Sequence, residues 1–165
     1  MGDVGTARAG MTSVEIRGAA PGDEAGVLNC LSRAFEPYRA EYSALAYEDT
    51  VLNPSSIATR LREMHVLVAV ADGEIVGTVS GACDGAVAHL RGMAVLREWR
   101  GKGVASQLLL SIESWARSRK CSRITLDTTM PLRAAISFYE RNGYRRSGKV
   151  SEFFGMALLE YFKDL

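Results

Sequence analysis

Apolar and polar side chains alternate along Val14-Glu15-Ile16-Arg17, the period of a strand with one buried face. Pro21-Gly22-Asp23 breaks the pattern. Val27, Leu28, Leu31, Ala34 and Phe35 then recur at helical spacing, which predicts a helix over about Glu24–Phe35. The stretch from Glu36 to Pro54 has no clean period. Ser55-Ser56 reads as the cap of a second, short helix carrying Ile57, Leu61 and Met64. Val66–Ala71 is apolar and rich in β-branched residues, Asp72-Gly73 is the residue pair of a tight hairpin, and Glu74–Cys83 reads as the return strand. Asp84-Gly85 repeats the signal and leads into Val87–Val95, so three strands form an antiparallel meander. Val104, Leu108, Leu109, Ile112, Trp115 and Ala116 then share one face of a helix whose last turn collects Arg117, Arg119 and Lys120, cations that suit its dipole. A strand over Arg123–Asp127, a helix over Arg133–Asn142 ended by Gly143, and strands over Tyr144–Val150 and Phe153–Phe162 complete the pattern. The sum is an α/β chain (α+β by some schemes). It has one mixed, mostly antiparallel sheet of about seven strands with about four helices over residues 12–165, preceded by a flexible tail over residues 1–11.

Length and composition narrow the function classes. The chain has 165 residues, 47% hydrophobic and 24% charged, enough for one domain with a real core and unlike a disordered or fibrous chain. Twenty basic against nineteen acidic residues leave a formal charge of +1, which points away from nucleic acid or an anionic membrane as partner. The longest apolar stretches, such as Val66–Ala71, are about a third of a membrane span. The amino-terminal residues lack the apolar core of a secretory signal. Cys30, Cys83 and Cys121 are odd in number, far apart in sequence and outside any C-x-x-C pair, which argues for free thiols in a reducing, cytoplasmic setting and against structural zinc or any other metal.

The segment richest in chemistry runs from Val95 to Ala105, where a strand ends, a basic glycine turn follows and an amphipathic helix begins. The first N–H groups of a helix have no partner inside it, and the macrodipole adds positive potential there. Gly101 and Gly103 remove Cβ atoms that would keep an anion away, while Arg100 and Lys102 add charge. This is either a phosphate cradle or simply a sharp turn with solvated cations. A P-loop is excluded by spacing. The dinucleotide fingerprint is approached by Gly101, Gly103 and Ser106, with Asp127 where a ribose-binding acid would stand, but its third glycine is absent and the preceding strands form a meander.

The same segment resembles motif A of the GCN5-related N-acetyltransferase (GNAT) superfamily, V-x(4)-[Q/R]-x-x-G-x-[G/A], with Val95, Arg100, Gly103 and Ala105 at its positions. Ala135-Ile136-Ser137-Phe138-Tyr139-Glu140-Arg141-Asn142-Gly143-Tyr144 resembles motif B, A-x-x-F-Y-E-x-x-G-[F/Y]. The resemblance implies that two adjacent parallel strands, here Leu90–Val95 and Arg123–Asp127, splay apart to admit acetyl-CoA. It implies that the backbones of Met93 and Val95 pair with the pantetheine arm. The N–H groups of Gly101, Lys102, Gly103, Val104, Ala105 and Ser106 would hold the pyrophosphate beside Arg100, and an N–H near Met93 or Ala94 would stabilise the oxyanion of acyl transfer. It further implies that Tyr139, a neutral O–H donor near pH 7, protonates the departing thiolate. The asparagine that often precedes motif B is replaced by Leu132, with Thr128 or Thr129 as substitutes for its contact. His89 and Asp127 are both candidates for the base that deprotonates the acceptor amine.

Acceptor contacts in the family come from the segment after the first helix and from the last hairpin. Here those regions offer Glu36, Tyr38 and Tyr42, carboxylate and aromatic groups suited to a cationic amine, and Phe153. The expected function is acetyl-CoA-dependent N-acetylation of a small-molecule or protein amine by a monomer or homodimer. The alternatives are a non-catalytic acyl-CoA sensor and, more remotely, a dinucleotide-binding enzyme.

Overall fold

The first strand, β1 (Glu15–Gly18), leads through Asp23 into helix α1 (Glu24–Phe35). Asp23 does not cap α1; its carboxylate binds the Arg17 guanidinium at 2.6 Å and accepts from the Ala20 amide at 2.7 Å, closing the turn. The structure is a computed structural model describing residues 13–165; the tail expected over residues 1–11 lies outside them.

The aperiodic stretch folds into a 3₁₀ turn, Glu36–Glu41, and a helix the sequence pattern did not predict, α2 (Ala44–Val51). Ser43 caps α2, its hydroxyl accepting from the Ala46 amide. With only Ala46 and Tyr47 buried, two turns are too few to display a helical period. In α3 (Pro54–Glu63) the cap is Asn53, not Ser55-Ser56. Asn53 and Ser56 satisfy each other's backbone amides at 2.9 and 2.8 Å, and Pro54 takes the first helical position, where a missing N–H costs nothing.

The meander forms as expected from β2 (His65–Ala71), β3 (Glu74–Asp84) and β4 (Val87–Val95), with Asp72 and Gly73 both at positive φ between the first two strands. There follow α4 (Val104–Ser118), β5 (Arg123–Thr129), α5 (Arg133–Arg141), β6 (Arg145–Phe153) and β7 (Met156–Asp164). The last hairpin turns at Phe154-Gly155, later than the Ser151-Glu152 break between the two expected strands, so Phe153 ends β6. The seven strands lie in the order β1-β2-β3-β4-β5-β7-β6, antiparallel throughout except for β4 and β5. Edge strand β6 is almost wholly exposed and carries Arg145, Arg146 and Lys149, charges that discourage pairing with another chain. The core lies between the sheet and its helices: α1 buries Val27, Cys30, Leu31 and Ala34, while α4 buries Val104, Leu108, Leu109, Ile112 and Ala116. Cys83 and Cys121, remote in sequence, meet as free thiols with their Sγ atoms 3.1 Å apart.

Two irregularities in β4 shape the centre of the sheet. Its pairing with β5 runs only from Val87↔Arg123 to Leu90↔Leu126, although β4 stays on β3 as far as Val95 and β5 stays on β7 as far as Thr129. Between Ser80↔Arg91 and Thr78↔Ala94, Gly92 and Met93 together face the single residue Val79. This bulge, with Gly92 at φ +63°, bends β4 just where its neighbour departs.

At the other side of α4, Glu113 is buried (1% exposed) and bound by the Tyr144 hydroxyl at 3.0 Å and by Lys163 Nζ at 3.1 and 3.3 Å. The cluster ties α4 to the last hairpin. Removing Lys163 strands a carboxylate in the core, whereas removing the Glu113 charge leaves an ammonium that is 27% exposed and can reach water. Lys163→Met is therefore expected to destabilise by about 3 kcal/mol and Glu113→Gln by roughly 1; equal losses in urea denaturation would contradict this asymmetry. Burial, then the Glu113 charge, holds the Tyr144 phenol well above its ordinary value of 10.0. Above that value the unfolded chain loses a proton that the fold retains, so stability is complete below about pH 10 and falls as pH rises further. Melting temperatures between pH 9 and 11 should decline in the parent and decline less in Tyr144→Phe.

Candidate active site

Where β4 and β5 part, a cleft of about 710 Å³ opens through the sheet. Met93, Ala94 and Val95 line it from β4, on the side that β5 has vacated. The Arg100 guanidinium crosses beneath, its Nε donating to the Val95 carbonyl at 3.3 Å and its Nη2 to the Ala34 carbonyl at 3.5 Å. Arg100 thus fixes the strand end to α1.

One end of the cleft is the start of α4. Gly103 stands at its cap with φ +82°, a left-handed conformation that favours glycine, and no side chain caps the helix. The first bond of the helix is from the Gln107 amide to the Gly103 carbonyl at 3.0 Å. The amides from Gly101 to Ser106 find no acceptor among the described residues. A Cβ at Gly101 would meet nothing within 4 Å, and the cleft wall includes Gly101, Gly103, Val104, Ala105 and Ser106. Lys102 is not on that wall; its Nζ lies 5.0 Å from the centre of the Trp99 ring. These donors stand without acceptors at the positive end of a 15-residue helix, an arrangement that can receive an anion.

The opposite wall comes from β5 and α5. Tyr139 is 8% exposed, packs edge-on to Tyr144 and lines the cleft, and its hydroxyl has no partner among the described residues. Burial pushes its phenol upward, so it stays protonated far above neutral pH. Of the two threonines considered in place of an asparagine at Leu132, Thr129 is already engaged, its Oγ1 2.6 Å from the Tyr42 hydroxyl. Thr128 Oγ1 is buried with no partner among the described residues, in the wall of the cleft. On the cleft floor the two candidate bases prove to be one unit. His89 Nε2 lies 3.3 Å from Asp127, and its Nδ1 lies 2.8 Å from Thr125 Oγ1, which fixes the ring.

Tyr38, Tyr42 and Phe153 reach the cleft, but Glu36 does not: it lies 3.6 Å from Arg39, accepts from the Tyr47 hydroxyl at 3.2 Å and faces away. Charge at this end comes instead from Asp49, one of the carboxylates that follow the first helix, and from Arg60 and Arg91, which the sequence pattern does not single out. Arg60 did leave a signal, because it shares the apolar face of α3 with Ile57 and Leu61, where a charge is out of place. Among the described residues no group of three or more His, Cys, Asp or Glu side chains could hold a metal ion, and no helix is long and apolar enough to cross a membrane.

Comparison with known proteins gives the family and the fold. Residues 27–144 match the model of the Acetyltransferase (GNAT) family, and the chain belongs to that family. Its fold is similar to that of PaiA N-acetyltransferase from Thermoplasma acidophilum, solved in complex with coenzyme A, with a TM-score of 0.77, 21% identity, and 93% of this chain and 99% of the other covered. It is also similar to a GNAT acetyltransferase from Staphylococcus aureus (TM-score 0.76, 17% identity, 92% and 99% covered). A third similar structure is the ribosomal-protein-S18-alanine N-acetyltransferase of Escherichia coli (TM-score 0.74, 14% identity, 92% and 94% covered).

The partnerless Thr128 hydroxyl gives a direct test of whether the cleft wall is built for a ligand. A buried hydroxyl without a partner destabilises the free protein by about 1–3 kcal/mol. Thr128→Val is therefore expected to raise the melting temperature of the ligand-free protein, and a fall would show that the hydroxyl is satisfied there.

Proposed function

We propose that this protein transfers the acetyl group of acetyl-CoA to the primary amine of an acceptor, by direct attack within a ternary complex. The observation that carries the reading is the convergence on one cleft of an uncapped helix start, a strand edge freed by the β4–β5 divergence, and an unpartnered, protonated Tyr139 hydroxyl.

The residues present suit this co-substrate. The amides of Gly101–Ser106 would hold its pyrophosphate, and the β4 edge at Met93 and Val95, which β5 leaves unpaired, would hold its pantetheine arm as an added strand. The Thr128 hydroxyl offers the contact that Leu132 cannot make. Bound acetyl-CoA supplies a thioester carbonyl open to attack by an amine and a thiolate leaving group. An N–H of the β4 bulge, at Met93 or Ala94, is the donor for charge developing on the carbonyl oxygen. The His89–Asp127 pair receives the proton of the acceptor ammonium, with Thr125 holding the imidazole in place. The Tyr139 hydroxyl gives its proton to the sulfur. Its raised pKa keeps that proton available throughout the physiological range. Three free thiols fit work in a reducing compartment such as the cytoplasm.

Thermal-shift titration with acetyl-CoA, coenzyme A and NADH in parallel comes first. Both coenzyme A species should stabilise the fold, by about 2.7 kcal/mol at a hundredfold excess over the dissociation constant, and NADH should not. A shift with NADH alone would overturn the reading. With amine acceptors, thiol release should follow, and Tyr139→Phe should lower kcat by about 10²-fold or more while leaving coenzyme A affinity within roughly twofold. Binding of acetyl-CoA without thiol release on any amine would instead identify a sensor.

A further inference from the structure

Arg60 is the least accommodated charge in the described structure. It is 8% exposed, its guanidinium makes no hydrogen bond to any described residue, and it lines the main cleft. The groups facing it are Asp49, which attracts it, and Arg91, which repels it; the Asp49 carboxylate is itself engaged with Arg91 at 3.3 Å. Burial, followed by the Arg91 charge, pulls the guanidinium down to about 10. A buried cation of this kind is strongly unfavourable unless an anion completes it.

Its position says where that anion would lie. Arg60 Nη1 stands 2.5 Å from the place a Cβ on Gly92 would take, so the guanidinium is seated directly against the β4 bulge. Any larger residue at 92 would collide with it. The next residue along the strand is Met93, whose backbone belongs to the proposed acetyl-binding edge. Arg60 therefore sits within a residue of the reacting centre, on the wall shared by the main cleft and an adjoining polar groove of about 360 Å³ that includes Ser56, Thr59, Glu63 and Arg91. Asp49 and Glu63 balance the two guanidinium groups of this groove in formal charge, but neither carboxylate bonds to Arg60, whereas Asp49 is taken by Arg91.

We propose that Arg60, assisted by Arg91, binds a carboxylate carried by the acceptor close to its amine, so that the acceptor class is small amino acids rather than simple amines or polyamines. A planar guanidinium matches a carboxylate through two parallel N–H···O bonds, and its partly desolvated setting strengthens them. The bound carboxylate would hold the neighbouring amine over the bulge, toward the His89–Asp127 pair. The inference takes from the acetyltransferase reading only the identity of the reacting amine; the anion site rests on the placement of Arg60.

The test uses standard amino acids, each beside the amine obtained by removing its carboxyl group, in thiol-release assays with acetyl-CoA. For at least one pair the amino acid should be preferred by tenfold or more in kcat/KM, through a lower KM. Arg60→Gln should bring that ratio close to one, Arg60→Lys should restore part of it, and the exposed Arg91→Gln should reduce it less. Coenzyme A affinity and melting temperature measured on each variant separate loss of the site from loss of the fold. In thermal-shift titrations without acetyl-CoA, the preferred amino acid should stabilise the parent and not Arg60→Gln. Preference for the decarboxylated member in every pair, a ratio unchanged in Arg60→Gln, or no amino acid bound or used by the parent would each overturn the proposal. Amino-acid binding that depends on Arg60, in a protein that ignores coenzyme A, would uphold the anion site and defeat the acetyltransferase reading instead.

Discussion

The molecule is organised around a place where a β-sheet stops being a sheet. Parallel strands are ordinarily buried and fully paired, because each unpaired N–H or C=O away from water costs as much as a lost hydrogen bond. Here β4 and β5 give up their ladder after Leu90 and Leu126, yet each remains held by its other neighbour. The opening is therefore a fixed feature of the fold and does not depend on local unfolding. The two-for-one bulge at Gly92-Met93 supplies the bend, and Gly92 supplies the left-handed φ and the missing Cβ it requires. The remainder of the site is arranged by that divergence. The start of α4, the hydroxyls of Tyr139 and Thr128, and the His89–Asp127 pair all reach the same cleft because the strands that carry or precede them border the opening.

A cleft with partnerless donors and a buried cation is a local deficit of stability, and the surrounding structure has to supply the difference. It does so with an aliphatic core shared by α1, the sheet and α4, and with polar ties set away from the cleft centre. The Glu113–Tyr144–Lys163 cluster fastens α4 to the last hairpin. Near the acceptor end, Tyr42 bonds to Thr129 and the Ser43 hydroxyl donates to the Phe154 carbonyl at 2.8 Å, which ties the α1–α2 connection to β5 and to the tip of the last hairpin. The site is thus rigid at its rim and unsatisfied in its interior, the arrangement expected when groups wait in place for charge to be brought to them.

Much of this was legible in the sequence, for identifiable reasons. The meander could be read because Asp72-Gly73 and Asp84-Gly85 have the chemistry of tight turns between β-branched runs, and α4 because fifteen residues are enough to display a period. The two motifs carried the family. Misses fall where local chemistry was short or ambiguous. In α2 only two residues are buried; the cap of α3 was disguised by serines, although Asn53-Pro54 held the stronger signal; and the last turn places Phe154 itself at φ +49°, against ordinary preference. The Cys83–Cys121 contact arises from the register of the hairpin and the entry to β5, which no spacing rule encodes.

The acceptor end shows most clearly why residue type alone misleads. Carboxylates and tyrosines interleaved after α1 suggest a pocket for a cation, and the tyrosines do line the cleft. Glu36, however, spends its charge on Arg39 and Tyr47, in the ordinary manner of a solvated turn. The charge that matters comes from α3, where one arginine occupies a position its helix would otherwise give to an aliphatic side chain. An exposed cation is nearly indifferent to what lies beside it, but a buried one is not, because desolvation makes its energy depend on a single partner. Specificity at this end of the cleft therefore follows from the burial of Arg60, and a count of charges along the chain could not have located it.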